Sequence, residues 1–188
     1  MKHLMIDMET LSVNTTNPVI LTVAAIKFDP FRDDRNKESR QVEIWYERPD
    51  VDQQIEAGRH VDENTVAWWG KQNPEALEEA MGTEGRKDFV TCLKELSRWC
   101  NDIEGVWSNG SVFDVVILEN AMREYNVHIP WKYWQIRDTR TLWALVDDPE
   151  MPKEGAHNAK CDAMRQILGV QNSLRKLGVD RFPQRTST

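Results

Sequence analysis

Four carboxylates and one imidazole, spread over three short patches, are the groups in this chain whose types and spacing could support a reaction. Asp7 and Glu9 stand in MIDMET, Asp114 in NGSVFD, and His157 with Asp162 in HNAKCD. Carboxylates are hard oxygen donors, and four of them can hold two divalent cations of the Mg²⁺ or Mn²⁺ kind. An imidazole titrates near neutral pH and can take a proton from water. Acting together, these groups have the chemistry of a two-metal phosphodiesterase, where positioning and charge neutralisation set the rate. Each patch alone has a plainer explanation: a polar strand end, an acid in the first turn of a helix, a solvated loop histidine.

Convergence depends on the elements that carry the patches. KHLMID (residues 2–7) is an apolar run ending in acid, which predicts a strand with Asp7 and Glu9 at its C-terminal end. Spaced i and i+2 on a strand, the two carboxylates share a face. Residues 19–28 (VILTVAAIKF) and 40–47 (RQVEIWYE) predict two further strands, and the short connections predict an antiparallel meander. Helices are expected over 62–72 with Asp62 as N-cap, from Pro74, over 87–101 and over 112–126, the last beginning just before Asp114. Residues 105–108 and 134–138 predict strands, 139–147 a helix, and 158–177 a long helix. The result is an α/β fold with a mixed sheet of five to six strands flanked by helices. Ligands of open α/β sheets bind outside the C-terminal ends of strands, so the first two patches point to one place. His157, in a loop ahead of the last helix, could fold back over Asp162.

Composition narrows the class. A hydrophobic content of 40% and a charged content of 29% are those of a soluble globular protein. The length of 188 residues suits a single domain over 1–180, with residues 181–188 as a frayed tail. No apolar run approaches the roughly 20 residues that span a membrane, and the N-terminus has neither signal-peptide nor transit-peptide character. Three cysteines without CxxC spacing fit reduced thiols and a cytoplasmic setting. The net charge of −7 argues against a general nucleic-acid binder. Residues 1–130 hold 14 basic against 24 acidic groups, but residues 131–188 hold 10 against 7, and bound cations would reverse the field around the acids.

The ordered set MIDMET, then Asn109-x-x-x-Phe113-Asp114, then His157-x-x-x-x-Asp162 resembles the three exonuclease motifs of the DnaQ-like DEDD superfamily, in its histidine (DEDDh) branch. The resemblance runs over residues 3–175. TVAWWGKQNPEAL (65–77) and YWQIRDTRTLWALV (133–146) are similar to segments of the phage exonuclease A group and the mycobacterial exoribonuclease-like domains. The resemblance implies an RNase H-like fold and a 3′→5′ exonuclease that removes nucleoside 5′-monophosphates from single-stranded nucleic acid with two Mg²⁺ or Mn²⁺ ions. Under it, Asp7 bridges both cations, Glu9 and Asp162 complete the nucleophile's cation site, Asp114 reaches the second cation through water, and His157 deprotonates the attacking water. A single-stranded DNA 3′ end is slightly favoured as substrate over an RNA end, and a non-catalytic nucleic-acid-binding module is the remote alternative.

Supporting roles are assigned to Thr10, Leu11, Asn109 and Phe113 as substrate contacts, with plain packing as the competing reading. Trp68 and Trp69 are about 100° apart on a helix, so one is expected in the core and the other in the cleft. Arg137, Arg140, Lys153 and Lys160 are candidates for phosphate contact, and Asp138 for a structural role. Eight tryptophans leave room for a homodimer interface.

Overall fold

The computed structural model of the chain describes residues 2–152 and 158–183. His157 and Lys153 therefore lie outside the described residues, as does the tail from residue 184. The N-terminal strand forms as β1 (His3–Thr10) and carries both acids of the first patch. β2 (Ile20–Phe28) and β3 (Glu43–Glu47) follow as the expected antiparallel meander. Four helices come next: α1 (Val51–Glu56), α2 (Glu63–Trp69), α3 (Pro74–Met81) and α4 (Phe89–Trp99). β4 (Gly105–Ser108) then runs parallel to β1, and α5 (Asp114–Glu124) leads to β5 (Ile136–Asp138), parallel to β4. α6 (Thr139–Trp143) and α7 (Ala159–Lys176) close the order. The sheet order is β3-β2-β1-β4-β5, which makes β1 the central strand of a mixed sheet.

Alternation along β1 decides where the acids point. Leu4, Ile6 and Met8 lie on one face, in a core with Phe89, Leu93 and Leu96 of α4 and Ile117, Leu118 and Ala121 of α5. Met5 lies on the other, in a core with Ala163, Ile167 and Val170 of α7. Asp7 and Glu9 continue the Met5 face. The strand that builds the core on one side thus delivers both carboxylates to α7 on the other. A third cluster, of Leu11, Val19, Leu21 and Ala80 around Trp69, seats α2 and α3 beyond the end of β1.

Three elements differ from the sequence expectation. α1 lacks an apolar period and is held instead by Gln54, which is fully buried. Its Oε1 accepts from the Ile20 N–H at 2.8 Å, and its Nε2 donates to the carbonyls of Ile20 (2.8 Å) and Asp50 (2.9 Å). Gln54→Ala strips the partners from a buried N–H and carbonyl on β2, so a loss of about 2–4 kcal/mol is expected in chemical denaturation. Expected strand 134–138 is only half strand: Tyr133–Gln135 form a 3₁₀ turn, because the Gln135 side chain folds back to the Lys132 N–H at 2.7 Å and reaches the Ile103 carbonyl. Helix 139–147 is shorter than expected. It ends at Trp143, beyond which Leu145 is 64% exposed and has no core to join.

Candidate active site

The first patch is shaped by the way β1 ends. Its register with β2 shifts between Glu9 and Thr10, an irregularity that bends a strand and re-aims its side chains. The Thr10 carbonyl accepts from the Trp69 indole N–H at 3.0 Å, and the Asp62 N–H donates to the Leu11 carbonyl at 2.8 Å, so α2 is tied to the strand end. Asp62 caps α2 as expected.

Asp7, Glu9 and Asp162 each place a carboxylate oxygen so that the three atoms lie within 4.8 Å of one another. Asp162 is in the first turn of α7, whose N-cap is Asn158, accepting from the Cys161 N–H at 3.0 Å. One turn on, Gln166 donates to Asp7 Oδ1 at 2.6 Å and Arg165 Nη1 donates to Asp162 Oδ1 at 2.5 Å. Asp114 lies in the first turn of α5, is 5% exposed and lines the same cleft. This cleft of about 330 Å³ is bounded by the four acids together with Met8, Asn109, Phe113, Arg165 and Gln166.

Electrostatics make the cluster hungry for positive charge. Burial, then the charges of Asp114 and Glu9, hold the Asp7 carboxyl well above the usual carboxylate range. Burial and the charges of Asp162 and Asp114 push Glu9 up to about 8. Burial likewise pushes Asp114 up to about 7, against the N–H groups of Asp114 and Met8, the Ser108 hydroxyl and the Arg140 charge. Acids that resist ionisation because they are buried, Asp7 and Glu9 also because they face other acids, are those a cation would relieve. The all-oxygen donor set and its spacing fit a hard divalent cation.

The second patch is held as a turn. Gly110 takes a φ of +106°, a left-handed conformation that glycine tolerates. Asp138 Oδ2 accepts from the Ser111 N–H at 2.7 Å, and Asp138 Oδ1 caps α6 through the Arg140 N–H at 2.9 Å. Asp138 therefore ties the turn before Asp114 to the end of β5. Asn109 Oδ1 accepts from Arg140 Nε at 3.1 Å, which brings Arg140 beside the turn.

Beside the acidic cleft lies an apolar pocket of about 470 Å³ lined by Met8, Glu9, Thr10, Val13, Trp68, Trp69 and Phe113, with Asp62, Asn64 and Thr65 at α2. Met8, Glu9 and Phe113 border both. The two tryptophans divide as the helical geometry requires: Trp69 is 1% exposed and Trp68 is 41% exposed, with their rings edge to face at 5.1 Å. Leu11 sits in the third core cluster rather than among the residues lining either pocket.

Other residues singled out in the sequence lie elsewhere. Arg137 packs over the rings of Trp107 and Phe182, in a cavity with His3 at the start of β1. Lys160 lies over the Tyr46 ring at 5.6 Å. Cys92 and Cys100 are buried free thiols, each pushed up to about 12 foremost by burial. Arg165 and Gln166 were missed, although their i+3 and i+4 spacing from Asp162 on a helix marks them as its neighbours.

A mixed sheet of RNase H-like fold thus brings acids from its central strand and from the first turns of two helices into one cleft, in a chain that a 3′-5′ exoribonuclease family model matches. The family model described as the 3′-5′ exoribonuclease Rv2179c-like domain matches residues 2–174, and the chain belongs to that family. No match is found among curated protein sequences. Among solved structures, a zinc-bound form of the E. coli exonuclease I complex with single-stranded DNA superposes with a TM-score of 0.65 at 15% identity, over 94% of this chain and 41% of that one. E. coli exonuclease I in complex with a dT13 oligonucleotide gives 0.60 at 16% identity, over 94% and 42%. The nuclease domain of 3′hExo, a DEDDh family member bound to rAMP, gives 0.56 at 12% identity, over 98% and 96%. The chain thus spans about two fifths of the exonuclease I chains.

Proposed function

We propose that this protein hydrolyses phosphodiester bonds at the 3′ end of single-stranded nucleic acid and releases nucleoside 5′-monophosphates. The observation that carries this reading is the meeting of Asp7, Glu9, Asp114 and Asp162 in one cleft that shares Met8, Glu9 and Phe113 with an adjoining apolar pocket. The four acids form the cation site, and the donor chemistry favours Mg²⁺ or Mn²⁺. When bound, such cations supply charge neutralisation at the phosphate and Lewis-acid activation of water. Phe113, shared by both pockets, positions the terminal nucleotide so that its phosphate faces the acids. Trp68 offers an exposed ring for a base, and Thr10 and Asn109 border the path of the sugar and phosphate. His157 is the base that accepts the proton of the attacking water.

Digestion of oligomers labelled at either end tests this directly. Wild type is expected to remove nucleotides stepwise from the 3′ end with Mg²⁺ or Mn²⁺ and to stop in EDTA, and His157→Ala is expected to be slower by a factor on the order of 10²–10⁴. Equal digestion by both proteins would refute it. Trp68→Ala removes a stacking surface worth about 1–3 kcal/mol. A rise in KM of about tenfold is expected with little change in melting temperature, whereas Trp69→Ala should unfold the end of β1.

A second reading of the substrate has a specific support. The family is described as an exoribonuclease, which favours RNA ends over DNA ends. Matched RNA and DNA oligomers, compared by kcat/KM, distinguish the two sugars.

A further inference from the structure

We propose that Arg165 is a counter-charge built into the cation site and, once a cation engages Asp162, the donor that the cleft presents to the phosphate. The inference rests on the nuclease reading for its substrate but not for its charge balance. Among the described residues, Arg165 is the one basic group lining the acidic cleft, and three quarters of its side chain is buried. Its Nη1 bonds Asp162 Oδ1 at 2.5 Å, and its Nε donates to the Pro152 carbonyl at 2.5 Å.

The two bonds act differently. The bond to Asp162 occupies an oxygen of one of the three carboxylates that cluster within 4.8 Å, so Arg165 and a cation compete for it and repel each other. The bond to Pro152 is made by Nε to main chain, and it keeps the guanidinium over the cleft when Nη1 lets go. A planar fork held at its Nε is pre-organised for paired bonds to phosphate oxygens, at little further entropy cost. An anionic phosphate would then lie between the cation and Arg165 and turn their repulsion into two attractions. Arg165 thereby makes cation and phosphate binding cooperative: the free site is held back from taking a cation, and the loaded site gains a donor for the charge on the reacting phosphate.

Titration calorimetry with Mn²⁺, with and without a nucleoside 5′-monophosphate, tests this on wild type, Arg165→Gln and Arg165→Lys. Thermal melts establish that each variant is folded. Wild type is expected to bind Mn²⁺ more tightly when the nucleotide is present. Arg165→Gln is expected to bind Mn²⁺ about three- to tenfold tighter than wild type without nucleotide, as loss of a unit charge a few Å away in a partly solvated cleft requires, and to lose the nucleotide's effect. Its kcat should fall by about a hundredfold. Arg165→Lys keeps the charge without the fork, so its Mn²⁺ affinity should stay near that of wild type while kcat remains low. Mn²⁺ binding by Arg165→Gln that is unchanged or weaker, or nucleotide cooperativity that survives in it, overturns the proposal, as does failure of wild type to bind Mn²⁺. The calorimetry needs no turnover. A wild type inactive on nucleic acid but with the expected binding pattern would refute the nuclease reading alone.

Discussion

Asp7→Asn is expected to abolish cation-dependent turnover and, at the same time, to raise the melting temperature of the cation-free protein at pH 8. Both effects follow from its position. Asp7 sits in mid-sheet, facing Glu9 and Asp162 at carboxylate spacing, with Asp114 across the cleft. Its carboxyl resists ionisation because it is buried and because Asp114 and Glu9 repel it. In the unfolded chain that carboxyl ionises freely at pH 8, so folding either ionises it among like charges or holds a proton on it against the solution. Asparagine removes both costs, and its Oδ1 can still accept from Gln166, which donates to Asp7 Oδ1 at 2.6 Å. A gain of several degrees in EDTA is expected, at about 2–4 °C per kcal/mol for a chain of this size. Without the central donor the cations are no longer held, and kcat should fall by a factor on the order of 10³ or more. Differential scanning fluorimetry with and without Mn²⁺, run beside single-turnover digestion, reads both quantities. A variant that melts lower in EDTA, or turns over within tenfold of wild type, would show that Asp7 is a structural acid.

The elements that carry the described acids were legible because each has a local sequence signal. LMI before Asp7 reads as a strand, the apolar residues after Asp114 read as a helix, and Asn158 ahead of Asp162 reads as a helix start. Two facts of packing then bring them together: β1 is central in the sheet, and its odd-numbered face meets α7. The tryptophan pair was legible for a similar reason, since adjacent helical positions cannot share a face. What escaped was held by polar contacts across long sequence distances. α1 depends on Gln54 reaching β2, 34 residues away, and no local pattern encodes that. The 3₁₀ turn before β5 depends on Gln135 reaching Ile103. Gln166 and Arg165 read as ordinary polar residues of a surface helix until Asp7 is placed opposite them, 159 residues earlier in the chain from Gln166. Leu11 was given a substrate role by its nearness to the first acids, yet the irregularity after Glu9 carries the chain away from the cleft and turns Leu11 into the core below α2.

The same acids make stability and cation affinity depend on pH in opposite directions. In the fold Glu9 is pushed up to about 8 from a usual 4.5, and Asp114 up to about 7 from 3.8, in both cases foremost by burial. Below about pH 3 both groups carry protons in the folded and unfolded chains alike, and neither affects stability. As pH rises, the unfolded chain loses these protons first while the folded one keeps them, so the folded state binds more protons and its stability falls. The slope reaches up to about 1.4 kcal/mol per pH unit for each group that holds its proton, less whatever solvent screening removes. The share of these two groups in the fall should run from about pH 4, ease above 7 as Asp114 ionises, and level off above 8 as Glu9 follows. Cation binding must expel these same protons, so affinity rises over the same window. In EDTA the melting temperature is therefore expected to be lower at pH 8 than at pH 6, and the gain on adding Mg²⁺ or Mn²⁺ to be larger at pH 8. Glu9→Gln should flatten both trends, because it removes the group with the higher proton affinity of the two. A cation-free protein whose stability stayed level or rose from pH 6 to pH 8 would mean that burial does not hold protons on these acids, and the electrostatic reason for a cation in this cleft would fall with it.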